Sequence, residues 1–334
     1  MNIGVVGAGS WGTALAALAA GQGHRVTIWG YEREVVEQLK NRRNEMYLPE
    51  LELPPMTATG DLAEVGRGQD LLISVMPSHV VRAVWTDLAQ HVDGEPLVVS
   101  ATKGIENVTL ATMAEVLREL LPPRIHRKLA VLSGPSFARE VVKRLPTAVV
   151  VAAKDIEAAQ AVQGALSTDR FRIYTSTDVV GIEVGGAAKN VVAIAAGISD
   201  GLGYGHNTRA ALITRGLAEI TRLAVAKAAN PMTLAGLAGV GDLVLTCTGG
   251  LSRNRTVGVK LGEGESLEAI EAGMHMVAEG VRTAKSCLGL ARRLGVEMPI
   301  TEVVHAVLYE GLDAARATAQ LMRRELKHEL EHGS

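Results

Sequence analysis

The fold of this chain is indicated most clearly by the segment Ile3-Gly4-Val5-Val6-Gly7-Ala8-Gly9-Ser10-Trp11-Gly12. An apolar run precedes the spacing G-x-G-x-x-G, and the Ala- and Leu-rich stretch after it predicts a helix. Gly7 permits a tight turn, Gly9 lets a ligand approach the backbone, and Gly12 lets the helix pack closely on the strand. The N–H groups that begin such a helix favour an anion. The segment therefore predicts a unit that binds a dinucleotide pyrophosphate, with a ligand-free Gly-rich turn as the alternative.

Length and composition narrow the class of protein. The chain has 334 residues, 47% of them hydrophobic and 21% charged, so two domains with sizeable cores are expected. A formal net charge of −2 argues against nucleic acid or an anionic membrane as partner. The longest apolar stretch, 191–198, is far shorter than the roughly twenty residues that span a bilayer.

The cysteine count and the start of the chain bear on the compartment. Cys247 and Cys287 are the two cysteines, which is too few for a disulfide framework and favours a reducing environment. No basic segment precedes the first apolar run, so we expect no signal peptide. These features predict a cytoplasmic enzyme without integral membrane association.

The first half of the chain alternates β-branched runs with helical segments. This alternation predicts an α/β fold whose N-terminal domain is a doubly wound (Rossmann), mostly parallel sheet. The Pro-rich segment 47–55 is interpreted as a surface loop. Strands are expected at residues 3–6, 25–29, 70–75, 96–100, 130–133, 148–151 and 172–174.

The second half lacks strand signals and consists of Ala-, Leu- and Val-rich segments separated by glycines. It predicts an all-α C-terminal domain. We therefore divide the chain into an NAD(P)-binding domain (1–177), a helical substrate and catalytic domain (178–322) and a frayed tail (323–334). The apolar character of the helical domain favours a homodimer.

The residues after the second strand bear on the choice of cofactor. NAD-selective sheets carry an acid about twenty positions after the glycines, where it binds the ribose 2′-OH. Here Gly30 occupies that place, and Tyr31, Glu32 and Arg33 follow it. Glu32 could bind a 2′-OH, whereas Arg33 could pair with a 2′-phosphate and Tyr31 could lie against the adenine. Arg33 could also be a solvated charge. We expect NAD(P)H as cofactor, with NADPH slightly favoured.

Lys189 is the most unusual charge in the second half, because Ala, Gly and Val surround it at nearly every helical position. Such a helix should be buried on all sides, and a lysine is almost never fully buried without a partner. Burial would lower the pKa of the amine and make it a usable general base. The alternative is a lysine that extends its amine to the surface.

The stretch Ser252-Arg253-Asn254-Arg255 follows two glycines and suits a phosphate dianion. A guanidinium binds two phosphate oxygens, and backbone amides can supply further donors. A solvated turn ahead of a helical segment is the alternative. Asp242, between glycines and an apolar run, could pair with Lys189 or could cap a helix.

Several residues follow predicted strands, at the sheet edge where open α/β folds bind ligands. They are Lys103 and the segment 134–138, although either could be ordinary loop. His79 could simply be packing at a helix start, and His206 and His275 have no partner signature. The sequence shows neither a Ser/His/Asp order nor a metal-binding spacing of His and Cys, so no metal is expected.

Together these motifs resemble the NAD(P)-dependent glycerol-3-phosphate dehydrogenases, in particular their bacterial form. The resemblance extends in order from residue 3 to about 310. It is carried by the glycine turn and by the segments 101–104, 133–138, 186–191, 241–243, 246–248, 252–255 and 277–280. It implies reversible hydride transfer between NAD(P)H and the C2 carbon that links dihydroxyacetone phosphate to sn-glycerol 3-phosphate, a small phosphate substrate. It also implies a role in supplying glycerol phosphate for phospholipid synthesis.

The resemblance also implies residue roles. Lys189 exchanges the proton of the C2 oxygen and touches the substrate. The other substrate contacts are Lys103, Gly134, Ser136, Asp242, Ser252, Arg253 and Asn254. The cofactor contacts are Gly7, Gly9, Ser10, Trp11, Gly12, Tyr31, Arg33, Tyr47, Lys103, Ala138, Arg253, Val277 and Glu279.

Two other readings are open from the sequence. A β-hydroxyacid or phosphogluconate type dehydrogenase shares the two-domain plan and a Lys-Asn pair, and there Arg253 would bind a carboxylate. A nicotinamide-binding redox sensor without chemistry would usually carry a basic nucleic-acid module, which the net charge of −2 does not favour.

Overall fold

The structure is a computed structural model, and it describes residues 1–274 and 278–323. Its centre is an eight-stranded sheet with the strand order β3-β2-β1-β4-β5-β6-β7-β8, in which all neighbours are parallel except β6 and β7. The mostly parallel sheet confirms the fold class. The strands are β1 (Asn2–Val6), β2 (Arg25–Trp29), β3 (Thr57–Thr59), β4 (Leu71–Ser74), β5 (Leu97–Ser100), β6 (Leu129–Ser133), β7 (Thr147–Ala153) and β8 (Phe171–Ser176).

Helices cover both faces of the sheet, which is why its central strands are apolar almost throughout. On one face α1 and α7 pack on the core, and on the other α4 and α5 do so. Short 3₁₀ helices occupy Ser78–Val80, Ala89–His91 and Pro123–Lys128. The α-helices of this part are α1 (Ser10–Gly21), α2 (Arg33–Lys40), α3 (Leu62–Gly66), α4 (Val81–Leu88), α5 (Met113–Leu120), α6 (Ala138–Val142) and α7 (Ile156–Leu166).

The turn from β1 into α1 has the geometry that its glycines predict. Gly7 has φ +125°, in the region that favours glycine. A Cβ atom on Gly12 would overlap the Gly7 carbonyl oxygen, so only glycine lets α1 start this close to the strand. A Cβ atom on Gly9 would meet no atom within 4 Å, which leaves open space beside the first turn of α1.

The seven predicted strands are present with small shifts at their ends, and two features differ from the expectation. β3 was not predicted, since Thr57–Thr59 is short and follows the Pro-rich segment. β7 runs antiparallel to β6. The connection between them holds only the five-residue α6, which packs against α1, and the chain then returns along β6 in the opposite direction.

The rest of the described chain is helical, as predicted. Its long helix α8 is buried along most of its length. A π-helical turn at Leu237–Gly241 precedes α11. The helices are α8 (Val179–Gly201), α9 (His206–Ala226), α10 (Pro231–Leu234), α11 (Asp242–Thr248), α12 (Arg253–Gly262), α13 (Leu267–Ala272), α14 (Glu279–Leu294), α15 (Pro299–Tyr309) and α16 (Ala314–Met322).

By length and composition, α8 is the one helix within residues 1–274 and 278–323 that could cross a membrane, but 83% of its apolar window is buried inside the protein, as in a core helix.

Arg253 and Asn254 belong to the first turn of α12 rather than to a loop before it, because the Ser252 side chain caps the helix by accepting from the Arg255 amide. Of the predicted tail, only Arg323 lies within the described residues.

Candidate functional site

The site lies where the carboxyl ends of the parallel strands meet the helical part of the chain. Lys103 and Gly134 follow β5 and β6, and their segments approach each other: the Lys103 amine donates to the Gly134 carbonyl oxygen at 3.0 Å. The same amine donates to Asp242 Oδ2, on α11, at 2.7 Å. This ion pair joins the sheet edge to the helical part across 139 positions of sequence.

Lys189 lies on the other side of Asp242. Its amine donates to Asp242 Oδ1 and to Thr246 Oγ1, each at 2.6 Å. The side chain is only 6% exposed, so the structure excludes an amine that extends to the surface. Burial lowers the pKa of Lys189 to about 8, and the positive charge of Lys103 acts in the same direction while Asp242 opposes it. The amine can therefore both release and accept a proton near neutral pH.

Asp242 thus holds two lysine amines with one buried carboxylate. Burial alone would raise the pKa of its carboxyl, but the charges and hydrogen bonds of Lys103 and Lys189 together hold that pKa below its ordinary value. Asp242 is also the first residue of α11, yet its carboxylate caps no backbone amide there. Of the two alternatives in the sequence, the structure supports the pairing with Lys189.

Asparagines connect this lysine pair to the start of α12. The Asn254 amide donates to Asn190 Oδ1 at 2.9 Å, and Asn254 Oδ1 accepts from the Gly280 amide at 2.8 Å. Three helices, α8, α12 and α14, are therefore fixed to one another next to Lys189. Asn190 and Thr246 lie in the segments 186–191 and 246–248 that carry the resemblance, but the sequence predicts no role for them. The sequence marks them only by position: Asn190 follows Lys189, and Thr246 lies one helical turn after Asp242.

The two arginines of the 252–255 motif differ in their surroundings. Arg255 donates to Asp200 Oδ2 through Nε at 2.8 Å, and its Nη2 lies 2.7 Å from the same oxygen. Arg209 binds the other oxygen of that carboxylate. The Arg253 side chain remains exposed, although the protein around it lowers its pKa by removing water, and Glu279 and Tyr47 oppose that shift. Arg253 is therefore the arginine that is available to a ligand anion.

Glu279 connects α14 to the 3₁₀ helix that follows β4. Its carboxylate accepts from the Ser78 hydroxyl at 2.7 Å and from the Ser78 amide at 3.2 Å. Burial raises the pKa of Glu279, while Ser78 and Arg253 act against that shift. The predicted cofactor contact Glu279 thus stands at the junction of the two parts of the chain, beside Arg253.

The remaining predicted cofactor residues lie in the glycine turn and the first turn of α1, in the segment beside it, and after β2. The Ser10 hydroxyl donates to the Tyr47 carbonyl oxygen at 3.0 Å, which lays segment 44–49 beside this turn. Trp11 Nε1 is buried and has no hydrogen-bond partner among the residues that the structure describes. Tyr31 is 85% exposed after β2. Open space at Gly9 and the first amides of α1 fit a dinucleotide pyrophosphate.

The other predicted contacts include residues that follow β6 and one residue that the structure does not describe. The Ser136 hydroxyl donates to the Gly134 carbonyl oxygen at 3.1 Å, and Ala138 begins α6 beside α1. Val277 and His275 lie outside the described residues. Within residues 1–274 and 278–323, no group of three or more His, Cys, Asp or Glu side chains is arranged to hold a metal ion.

Comparison with known proteins identifies the family. Residues 2–159 match the N-terminal model of NAD-dependent glycerol-3-phosphate dehydrogenase, and residues 178–319 match its C-terminal model. The chain is 58% identical over 330 residues to glycerol-3-phosphate dehydrogenase [NAD(P)+] of Geobacter sulfurreducens, covering 98% of each chain. It is 55% identical over 333 residues to that of Syntrophobacter fumaroxidans, covering 99% of this chain and 98% of the relative.

A solved structure agrees with this assignment. The glycerol-3-phosphate dehydrogenase of Coxiella burnetii superposes with a TM-score of 0.90 at 39% identity, covering 97% of this chain and 99% of the other. Sequence, family models and fold thus agree over nearly the whole chain, and the family expected from the motifs is confirmed. The chain therefore belongs to the NAD-dependent glycerol-3-phosphate dehydrogenase family of oxidoreductases, whose members use NAD(P).

Proposed function

We propose that this protein interconverts dihydroxyacetone phosphate and sn-glycerol 3-phosphate with NAD(P)H, and that Lys189 is the general acid and base. The carrying observation is the buried Lys189 amine, 2.6 Å from Asp242 and joined through it to Lys103 at the sheet edge. In this proposal residues 1–177 bind the cofactor and residues 178–322 supply the catalytic lysine.

The protein's own residues handle the proton. Bound nicotinamide supplies or accepts the hydride at C2. In the direction of reduction, the C2 oxygen gains negative charge and takes a proton from the Lys189 amine; in oxidation the neutral amine removes that proton. The second ammonium, on Lys103, stabilises negative charge on the same oxygen. Asp242 orients both amines and offsets their mutual repulsion, which keeps Lys189 protonated to higher pH than burial alone would allow.

The phosphate end of the substrate is assigned to the start of α12. Arg253 offers a guanidinium for two phosphate oxygens, and the first amides of the ten-residue helix α12 supply a positive dipole end. Ser252 and Asn254 flank it, and Gly134 and Ser136 complete the substrate contacts on the sheet side. A phosphate held there gives remote binding energy that orients the small carbon skeleton next to Lys189.

The cofactor assignment follows the glycine turn. Gly7, Gly9, Gly12, Ser10 and Trp11 would hold the pyrophosphate region. Arg33, Tyr31 and Tyr47 would surround the adenine ribose, and Lys103, Ala138, Arg253, Val277 and Glu279 would face the remainder. The Arg33 side chain is exposed and forms no hydrogen bond or ion pair with residues in the described ranges, so its guanidinium is available to a 2′-phosphate. This supports a preference for NADPH.

We also propose a cellular compartment and an oligomeric state for the enzyme. The cysteine count and composition favour the cytoplasm, the resemblance implies that the product feeds phospholipid synthesis, and the apolar helical domain leads us to expect a homodimer. Exposed apolar side chains in the helical part support self-association, and sedimentation of the purified protein tests it. They are Val225, Met232, Val244 and Leu251.

The decisive experiment follows reduced nicotinamide absorbance with purified protein, dihydroxyacetone phosphate, and NADH or NADPH in parallel. Substrate-dependent loss of absorbance is expected. Lys189→Ala should lower kcat by roughly 10²- to 10⁴-fold while leaving cofactor binding unchanged. The exposed Lys154→Ala is the matched control.

Three results would count against the proposal. A near-normal kcat in Lys189→Ala would remove the lysine from the chemistry. Turnover of 3-hydroxy acids, with none of the triose phosphate, would favour the hydroxyacid dehydrogenases instead. Tight cofactor binding without any turnover would indicate a redox sensor.

A further inference from the structure

The adenine-ribose end of the cofactor site lacks an acid at the tip of β2. NAD-selective sheets place Asp or Glu there to bind the 2′-OH, but Gly30 follows Trp29 in this chain. A Cβ atom on Gly30 would lie 3.1 Å from Ala8 Cβ and 3.1 Å from Val36 Cγ2, so any side chain at this position would require its neighbours to shift by a few tenths of an ångström. The nearest carboxylate along the chain is Glu32, at the start of α2.

Glu32 is already engaged by a tyrosine. The Tyr47 hydroxyl donates to Glu32 Oε1 at 2.9 Å, and the Glu32 side chain caps no amide of α2. Burial, together with the Glu32 hydrogen bond and charge, raises the pKa of Tyr47 to about 12, so this hydroxyl remains a donor throughout the physiological range. The Tyr47 hydroxyl thus already occupies one oxygen of the Glu32 carboxylate.

Tyr47 is itself fixed to the dinucleotide-binding turn. Its carbonyl oxygen accepts from the Ser10 hydroxyl, and its amide donates to Asn44 Oδ1 at 3.2 Å. Asn44 is fully buried and donates to the Ala8 carbonyl oxygen at 3.0 Å and to Thr13 Oγ1 at 2.8 Å. These bonds fix the Tyr47 backbone beside the glycine turn, so the tyrosine holds Glu32 from a fixed point of the chain.

We propose that the Tyr47–Glu32 hydrogen bond sets the selectivity between the two nicotinamide dinucleotides. By holding Glu32 through Oε1, Tyr47 restrains the carboxylate nearest along the chain to the tip of β2 from turning to a ribose 2′-OH. The same hydrogen bond leaves Glu32 charged but holds that charge at Tyr47, away from a 2′-phosphate bound beside Arg33. The inference rests on the proposed preference for NADPH, and it assigns that preference to two residues that do not themselves pair with the phosphate.

The test is direct binding of each dinucleotide, measured by tryptophan fluorescence titration for the wild type, Tyr47→Phe, Glu32→Gln and the double variant. The wild type should bind NADPH more tightly than NADH. Tyr47→Phe frees the carboxylate, so the ratio Kd(NADH)/Kd(NADPH) should fall about fivefold to tenfold, since hydrogen bonds to charged groups are the stronger ones. In the Glu32→Gln background, Tyr47→Phe should change the ratio by less than about twofold.

A control variant and three other results distinguish this inference from a purely structural role of Tyr47. Tyr174→Phe, on the far strand β8, should change neither constant. If Tyr47→Phe weakens both dinucleotides equally, the tyrosine is only structural. If it shifts the ratio equally with Gln at position 32, Tyr47 acts on the cofactor directly, and the inference fails. A wild-type ratio near one that still falls in Tyr47→Phe would refute the NADPH preference but retain the Tyr47–Glu32 inference.

Discussion

Gly258 on α12 and Gly197 on α8 touch backbone to backbone: a Cβ atom on Gly258 would lie 2.8 Å from the Gly197 Cα atom. The same relation recurs one turn along, where a Cβ atom on Gly262 would lie 3.0 Å from the Gly201 Cα atom. Helix axes can approach this closely only where small residues face each other. Since α8 carries Lys189 and α12 begins at Arg253, this contact sets the distance between the two ends of the proposed substrate site.

Gly258→Ala should therefore separate the two helices and lower both stability and activity. Overpacking a tight interior contact typically costs about 1–3 kcal/mol, and the expected loss in the free energy of unfolding lies in that range. KM for dihydroxyacetone phosphate should rise as Arg253 moves from Lys189. Denaturant unfolding and steady-state kinetics measure the two effects. Gly164→Ala in α7 is the control, because its Cβ atom would meet nothing within 4 Å, and this variant should be slightly more stable. Equal stability of both variants would contradict the close contact.

The pH dependence of kcat should differ in sign between the two directions of reaction. Lys189, with its pKa near 8, must be protonated to act as acid in reduction. The rate of reduction should therefore fall as pH rises through about 8. In oxidation the neutral amine is needed, so that rate should rise through the same pH. Assays in overlapping buffers from pH 6 to pH 10 would follow both limbs. Two profiles that change in the same sense would exclude a single acid–base group.

Asp242→Asn should move those limbs to lower pH. The carboxylate favours the charged form of Lys189, and without it two ammonium groups face each other in a buried site. Loss of a close opposite charge typically lowers a lysine pKa by about one to three pH units, and the alkaline limb of reduction should move by that amount. The pH profile of the variant is the measurement. A lower kcat with an unmoved limb would mean that Asp242 only positions the lysines.

Local patterns in the sequence predict the parts of this structure that depend on local residues. The glycine turn, seven of the strands and the burial of Lys189 all follow from neighbours within a few positions. The antiparallel β7 depends instead on how α6 packs on α1, which no short window of sequence contains. β3 is too short to give a pattern of its own.

Long-range pairings explain what could not be predicted in the site. Lys103 and Asp242 are 139 positions apart, so their ion pair is visible only once the sheet edge and α11 are in contact. Arg253 and Arg255 look equivalent in sequence, and only the contact of Arg255 with Asp200 separates an exposed arginine from an engaged one. The hydrogen bond between Asn190 and Asn254 likewise depends on the crossing of α8 and α12.

Arg253→Ala should affect phosphorylated and unphosphorylated substrates differently. If the guanidinium binds the phosphate, KM for dihydroxyacetone phosphate should rise roughly 30-fold or more, since truncating one partner of a close charge pair costs about 2–5 kcal/mol. At saturating cofactor, any turnover of dihydroxyacetone, which has no phosphate, should fall much less, because this substrate cannot use the phosphate contact. Lys260→Ala, which removes a half-buried cation later in α12 that pairs with Glu265, is the charge-matched control. Equal losses on the two substrates at saturating cofactor would instead limit Arg253 to the cofactor or the reacting carbon, and the phosphate would then have to be assigned to other donors at the start of α12.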